Sequence, residues 1–175
     1  PHPGGAARAG RPAVSPVMRT CTRGFTLIEL VVTVAIVGVL ASVAVPLVEV
    51  QVQRAREHEL RVALRQIREA IDAYKQAYDA GKMLNRVGAS GYPRSLDELV
   101  NGVPDARSAD NARLVFLRRV PRDPFHPDRE RPAAETWGMR TYGSPPDAPR
   151  AGEDVFDVYS LSTRRSLRGE PYRDW

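Results

Sequence analysis

Residues 25–45, FTLIELVVTVAIVGVLASVAV, form an apolar run of 21 residues that carries one charge, Glu29. As a helix rising about 1.5 Å per residue, such a run is about 31 Å long, close to the thickness of a bilayer core. Arg19 and Arg23 precede it. Basic residues hold their end of a span in the cytoplasm, so the C-terminal part is expected outside. The acid is the anomaly, because a carboxylate inside a span costs up to a few kcal/mol and calls for a partner. Three readings fit a run of this kind. It could be a plain signal anchor. It could be a secretory signal cut near Ser42-Val43-Ala44, although it is long for a signal core and has an acid near its start. The third reading gives the acid a purpose.

That reading begins with "RGFTLIEL", residues 23–30. The stretch resembles the prepilin leader shared by type IV pilins and type II secretion pseudopilins. In that family a short basic leader ends in Gly, a membrane aspartyl peptidase cuts after it, and the new N-terminal residue is methylated. The resemblance implies cleavage between Gly24 and Phe25, N-methylation of Phe25, and a mature chain with Glu29 as its fifth residue. Pro46 also matches a familiar family proline. Cutting before Phe25 creates an α-amine with a pKa of about 8, one helical turn from Glu29. In the family, the partner of this acid is the N-terminal amine of a neighbouring subunit. Glu29 is therefore expected to favour assembly and fix axial stagger. Thr26, Thr33 and Ser42 can bond their own helix backbone, and Gly38 permits close packing.

The residues ahead of the leader add little. Residues 1–17 are rich in Pro, Gly and Ala, no stable structure is expected there, and Met18 is a plausible true start. The formal charge of +5 does not imply nucleic-acid binding. Arg8, Arg11, Arg19 and Arg23 fall in residues 1–24, and from Phe25 onward 22 basic residues face 21 acidic ones. A body so close to neutral offers no basic patch. Cys21 is the single cysteine, so an intrachain disulfide is impossible.

Beyond Pro46 the period changes. Leu60, Leu64, Ile67, Ile71, Tyr74 and Tyr78 are spaced 4, 3, 4, 3 and 4, one face of an amphipathic helix. The stripe is too short for a stable coiled-coil seam and is expected to pack on the chain's own C-terminal sheet. Glu57–Arg61, Arg65–Glu69 and Arg68–Asp72 are candidate i,i+4 pairs. Gly81 is a natural stop. His58 has no second His four residues away and is expected on the solvated surface. Residues 25–80 could be one helix, bent or loosened at Pro46.

In the C-terminal part, Ser95-Leu96-Asp97-Glu98 reads as a capping box opening a short helix to about Val100, ended by Asn101-Gly102. Arg113–Val120, Thr136–Tyr142 and Val155–Leu161 are strand candidates, with residues 144–154 as the loop between the last two. The expected fold class is α+β, a pilin-like fold with a long N-terminal helix on a small antiparallel sheet. The organisation is a leader (1–24), a transmembrane helix (25–46), an amphipathic helix (47–81) and a periplasmic C-terminal domain (82–175).

Here the resemblance widens. "YPRSLDELV", "FLRRVPRDPF", "WGMRTYGS", "FDVYS" and the final Trp look like the G-type major pseudopilin, in the same order. Mature type IV pilins usually close this region with a disulfide, which this chain cannot do, so the pseudopilin branch is favoured. The G-type family holds calcium in the loop after its last strand. In this chain Ser160 and Ser162 remain, but Arg164, Arg165 and Arg168 stand where acids are expected, and Glu170-Pro171 where an Asp pair would be. Calcium wants six to eight oxygens, and nearby cations oppose it. The family calcium site is expected to be degraded, with no cofactor and no metal bound. Asp147, Glu153, Asp154 and Asp157 could form a substitute site but are better read as a solvated loop, and Arg–acid pairs are expected to staple the loop instead.

No nucleophile elbow, P-loop, dinucleotide loop or Cys/His cluster is present. Asp123, His126 and Asp128 lie together, but Pro121, Pro124 and Pro127 make a rigid loop the better reading. The expectation is a non-enzymatic filament subunit in the bacterial inner membrane with its C-terminal domain in the periplasm. The implied partners are copies of itself in a homo-oligomeric filament, the prepilin peptidase, other pseudopilins and the inner-membrane assembly platform. The alternatives are a type IV pilin or minor pilin, and a membrane-tethered periplasmic domain that never polymerises.

Overall fold

The computed structural model describes residues 24–84, 88–110 and 112–175, apart from the side chains of Val43, Val45 and Pro46. Arg19, Cys21, Arg23 and the rest of the leader ahead of Gly24 therefore lie outside the described residues. The chain divides into two compact units, Pro1–Val43 and Ala44–Trp175. The helix α1, Leu27–Asp79, belongs to both.

In the first unit, α1 starts where the sequence provides a cap. The hydroxyl of Thr26 accepts from the Glu29 amide at 3.3 Å, and the Thr26 carbonyl accepts from Leu30 N at 3.1 Å. The hydroxyls of Thr33 and Ser42 donate back to the Leu30 and Val39 carbonyls, as expected. The described side chains of this unit are exposed, including Ile28 at 68% and Leu40 at 65%. A helix that is apolar all round with nothing packed on it is suited to a bilayer or to other helices, not to water. It is long and apolar enough to cross a membrane.

In the second unit the stripe does what its spacing requires. Leu60, Leu64, Ile67, Ile71 and Tyr74 are buried and Tyr78 is half-buried. They join Leu96, Leu99, Val103, Phe125, Trp137, Val155, Val158 and Tyr172 in one core. Each fully buried Leu or Ile contributes about 1.5–3 kcal/mol. The helix ends in a Schellman motif: Lys82 N bonds the Ala77 carbonyl at 3.0 Å, Gly81 N bonds the Tyr78 carbonyl at 2.9 Å, and Gly81 has φ +65°.

The helix α2, Leu96–Asn101, follows. Ser95 precedes it in extended conformation, but its side chain makes no cap bond. Neither half of the expected capping box forms. Glu98 instead reaches one residue further back, accepting from Arg94 N at 2.7 Å.

The strands pair as two separate antiparallel ribbons, where one sheet was expected: β1 (Val103–Pro104) with β2 (Arg113–Leu114), and β3 (Trp137–Arg140) with β4 (Asp157–Ser160). The expected strand 113–120 is cut to two residues because the Phe116 and Leu117 amides both turn to the Leu99 carbonyl of α2, at 3.0 Å. Thr136 is not in β3; it closes a 3-10 turn, Ala133–Thr136, by donating its hydroxyl to Ala133 O. Val155 precedes β4, its amide committed to the Pro93 carbonyl at 2.7 Å.

Candidate functional site

Two places concentrate the residues singled out in the sequence, one in each unit. In the first unit, Gly24, Phe25 and Thr26 form a non-helical segment directly ahead of α1. A Cβ built on Gly24 would meet nothing within 4 Å, and Phe25 is 75% exposed. Gly24 and Phe25 are thus both exposed among the described residues. Glu29 lies one turn on, exposed, in the first turn of α1, where the positive end of the helix dipole favours an acid. Among the described residues Glu29 has no ion-pair partner.

In the second unit the chain after β4 wraps back onto α1. Ser160, fully buried, donates its hydroxyl to Asp123 Oδ2 at 2.6 Å, and Asp123 Oδ1 accepts from Phe125 N at 2.8 Å. Asp123 is thereby committed to fixing its proline-rich loop. His126, half-buried, and Asp128, exposed, contact each other locally. The reading of this loop as structural fits that geometry.

The acids considered for a substitute calcium site do not converge. Asp147 and Glu153 are exposed. Asp154 accepts from Thr141 Oγ1 and from Tyr142 N. Burial pushes its carboxyl up, but hydrogen bonds from Ser90, Thr141 and Tyr142 outweigh this and leave it below the usual carboxylate range. Asp157 pairs with Arg68 at 2.8 Å and Arg140 at 3.4 Å. An acid neutralised by two guanidinium groups is a poor ligand for a cation. Among the described residues no group of three or more His, Cys, Asp or Glu side chains could hold a metal ion. The residues present do not fit calcium.

The Arg–acid pairs form at Asp157 in β4 and not on the loop after it that they were expected to staple. Arg68 comes from α1 and Arg140 from β3. Arg164 lies over the Phe125 ring at 5.4 Å, and Arg165 donates to the Gly169 carbonyl at 2.8 Å. The expected pairs Glu57–Arg61 and Arg68–Asp72 do not form, because Glu57 and Arg68 turn to long-range partners; on α1 the pair that closes is Lys75–Asp79. His58 is exposed, as expected.

Glu57, which the sequence offers as half of an i,i+4 pair, is 6% exposed. The signal was present: the buried stripe, extended back from Leu60 by three residues, arrives at Glu57.

The family described as the prokaryotic N-terminal methylation motif matches residues 19–45. The chain is similar to the type IV major fimbrial protein FimA of Dichelobacter nodosus, with 32% identity over 46% of this chain and 55% of that protein. It is also similar to the type II secretion system core protein G of Klebsiella pneumoniae, with 29% identity over 76% of this chain and 91% of that protein. The chain thus spans about half the length of the fimbrial relative and most of the secretion relative. No solved structure matches significantly. Methylation motif, apolar α1 and α+β domain agree with one another and with the resemblance drawn from RGFTLIEL.

Proposed function

We propose that this type IV pilin-like chain is a structural subunit of the periplasmic pseudopilus of a type II secretion system. The prepilin peptidase cuts it between Gly24 and Phe25, Phe25 is N-methylated, and α1 then polymerises. The observation that carries the pseudopilus over the pilus is the reach of similarity, 91% of core protein G against 55% of the fimbrial protein. The absence of cysteine after residue 21 supports the same branch. The partners are further copies of the chain, other pseudopilins and the inner-membrane assembly platform. The C-terminal domain lies in the periplasm, and the role is structural, not enzymatic.

Glu29 supplies the assembly contact. Within a bundle of α1 helices its carboxylate meets the methylated amine of the neighbouring Phe25. Two charges in an apolar bundle are tolerable only as a pair, and removing one leaves the other buried at a cost of about 3 kcal/mol or more.

The experiment is a deletion with complementation. Without this chain, type II substrates should accumulate in the periplasm, and overexpression should yield filaments visible after shearing. Loss of surface pili with secretion intact would favour the type IV pilin reading, to which the fimbrial similarity points. Normal secretion and normal pili would leave a tethered domain that does not polymerise.

A further inference from the structure

Residues 161–175 form a strap that carries little regular structure, a single 3-10 turn at Tyr172–Asp174 and one bridge between Arg165 and Pro171. Such a segment has few backbone bonds of its own and must be held from outside. Its holding points converge on α1. Glu57 Oε1 accepts from Leu167 N at 2.8 Å and from the Tyr172 hydroxyl at 3.0 Å. Gln53 Nε2 donates to the same Tyr172 hydroxyl at 3.0 Å and to the Arg165 carbonyl at 3.3 Å. The phenol therefore accepts from Gln53 and donates to Glu57. Tyr172 is fully buried, its ring stacked on Phe125 at 4.1 Å. One helical turn or more along α1, Arg68 donates to the Trp175 carbonyl at 2.7 Å, and Arg61 covers the Trp175 ring at 4.3 Å.

From this placement we infer that Glu57 is the latch that fastens residues 161–175 to α1, so that the strap is held by a carboxylate of the chain itself and needs no bound cation. The inference rests on the misfit of the calcium donor set, not on the proposed filament. A buried carboxylate costs several kcal/mol unless it is hydrogen-bonded. Here two strap donors converge on Oε1, with Gln53 Nε2 beside them at 3.4 Å, and the strap amide and phenol would otherwise lose their acceptor. Each side depends on the other. The strap's own charged side chains, Arg164, Arg165, Arg168, Glu170, Arg173 and Asp174, are exposed, and none of them is a hydrogen-bond donor to Glu57.

The test is hydrogen exchange on the full chain in detergent, read by peptide. In Glu57→Ala, amides of residues 161–175 should exchange about tenfold faster or more, while peptides from α2, β3 and β4 keep their protection. Glu57→Gln, which retains an acceptor oxygen and the volume, should fall between Glu57→Ala and the unaltered chain and stays folded if the alanine variant does not. Millimolar calcium should leave strap exchange in the unaltered chain unchanged. Unaltered strap exchange in both variants would overturn the inference. So would equal acceleration across β3 and β4, which would make Glu57 a general core residue. Strap protection gained on adding calcium and lost with EGTA would show that a cation does the fastening. None of these readouts depends on whether filaments form.

Discussion

At the residue scale, two positions test the account from opposite ends. Glu29→Ala removes a charge from an apolar span, so membrane insertion should be as good or better. Cleavage one turn away should persist. Assembly should fail, because each added subunit buries an amine without its counter-charge. Glu29→Gln keeps shape but not charge and should be impaired too. The assay is sheared-filament yield at equal levels of processed subunit, and normal yield from both variants would remove the carboxylate's role. Gly102 tests the fold. It has φ +69°, and a Cβ there would sit 2.6 Å from the Leu114 carbonyl oxygen of β2. Gly102→Ala should cost about 2 kcal/mol or more, strain and clash together, read as a lowered denaturation midpoint. The sequence announced Glu29 because an acid in an apolar run is costly and calls for a partner. It hid Glu57 because a charge beside His58 and Glu59 looks like surface. Only the stripe period, which the acid shares with Leu60 and Leu64, marks it as buried.

At the level of elements, legibility followed local signals. The buried stripe of α1 and its Gly81 stop were readable because helix period and left-handed glycine are properties of a few adjacent residues. The strands were readable in part: the expected segments 136–142 and 155–161 contain β3 and β4, but what ends β2 is a long-range choice, the capture of the Phe116 and Leu117 amides by Leu99 O. The strap gives a pH prediction at this scale. Burial, foremost, pushes the Tyr172 phenol above its ordinary value, and the Glu57 carboxylate adds to this, while Gln53 and Arg164 oppose it. A raised folded pKa gives stability that is complete below the ordinary value of about 10 and is lost as pH rises through the folded value. Urea midpoints should therefore hold from pH 7 to 9 and fall above 10. Tyr172→Phe should blunt that fall without abolishing it, since burial also raises Tyr92. The same variant should cost about 1–2 kcal/mol at neutral pH by orphaning part of the Glu57 network. An alkaline fall identical in the phenylalanine variant would mean that Tyr172 does not carry it.

For the whole molecule, the sequence distinguishes a span suited to lipid or other helices from a domain that buries its own stripe, and the structure has two compact units that divide between Val43 and Ala44. Charge marks an earlier boundary, with four arginines and no acid in residues 1–24 and a near-neutral chain from Phe25 onward. What the sequence could not supply was the closing of the C-terminal segment, which depends on residues more than a hundred positions apart, Glu57 with Leu167 and Tyr172. The central claim is that this chain is a processed prepilin-type subunit. The most direct measurement is the intact mass and N-terminal sequence of the membrane-extracted chain from strains with and without the prepilin peptidase. The account predicts a chain starting at N-methylated Phe25 when the peptidase is present and an uncut leader when it is absent. A start at Val45, or the same product in both strains, would contradict it.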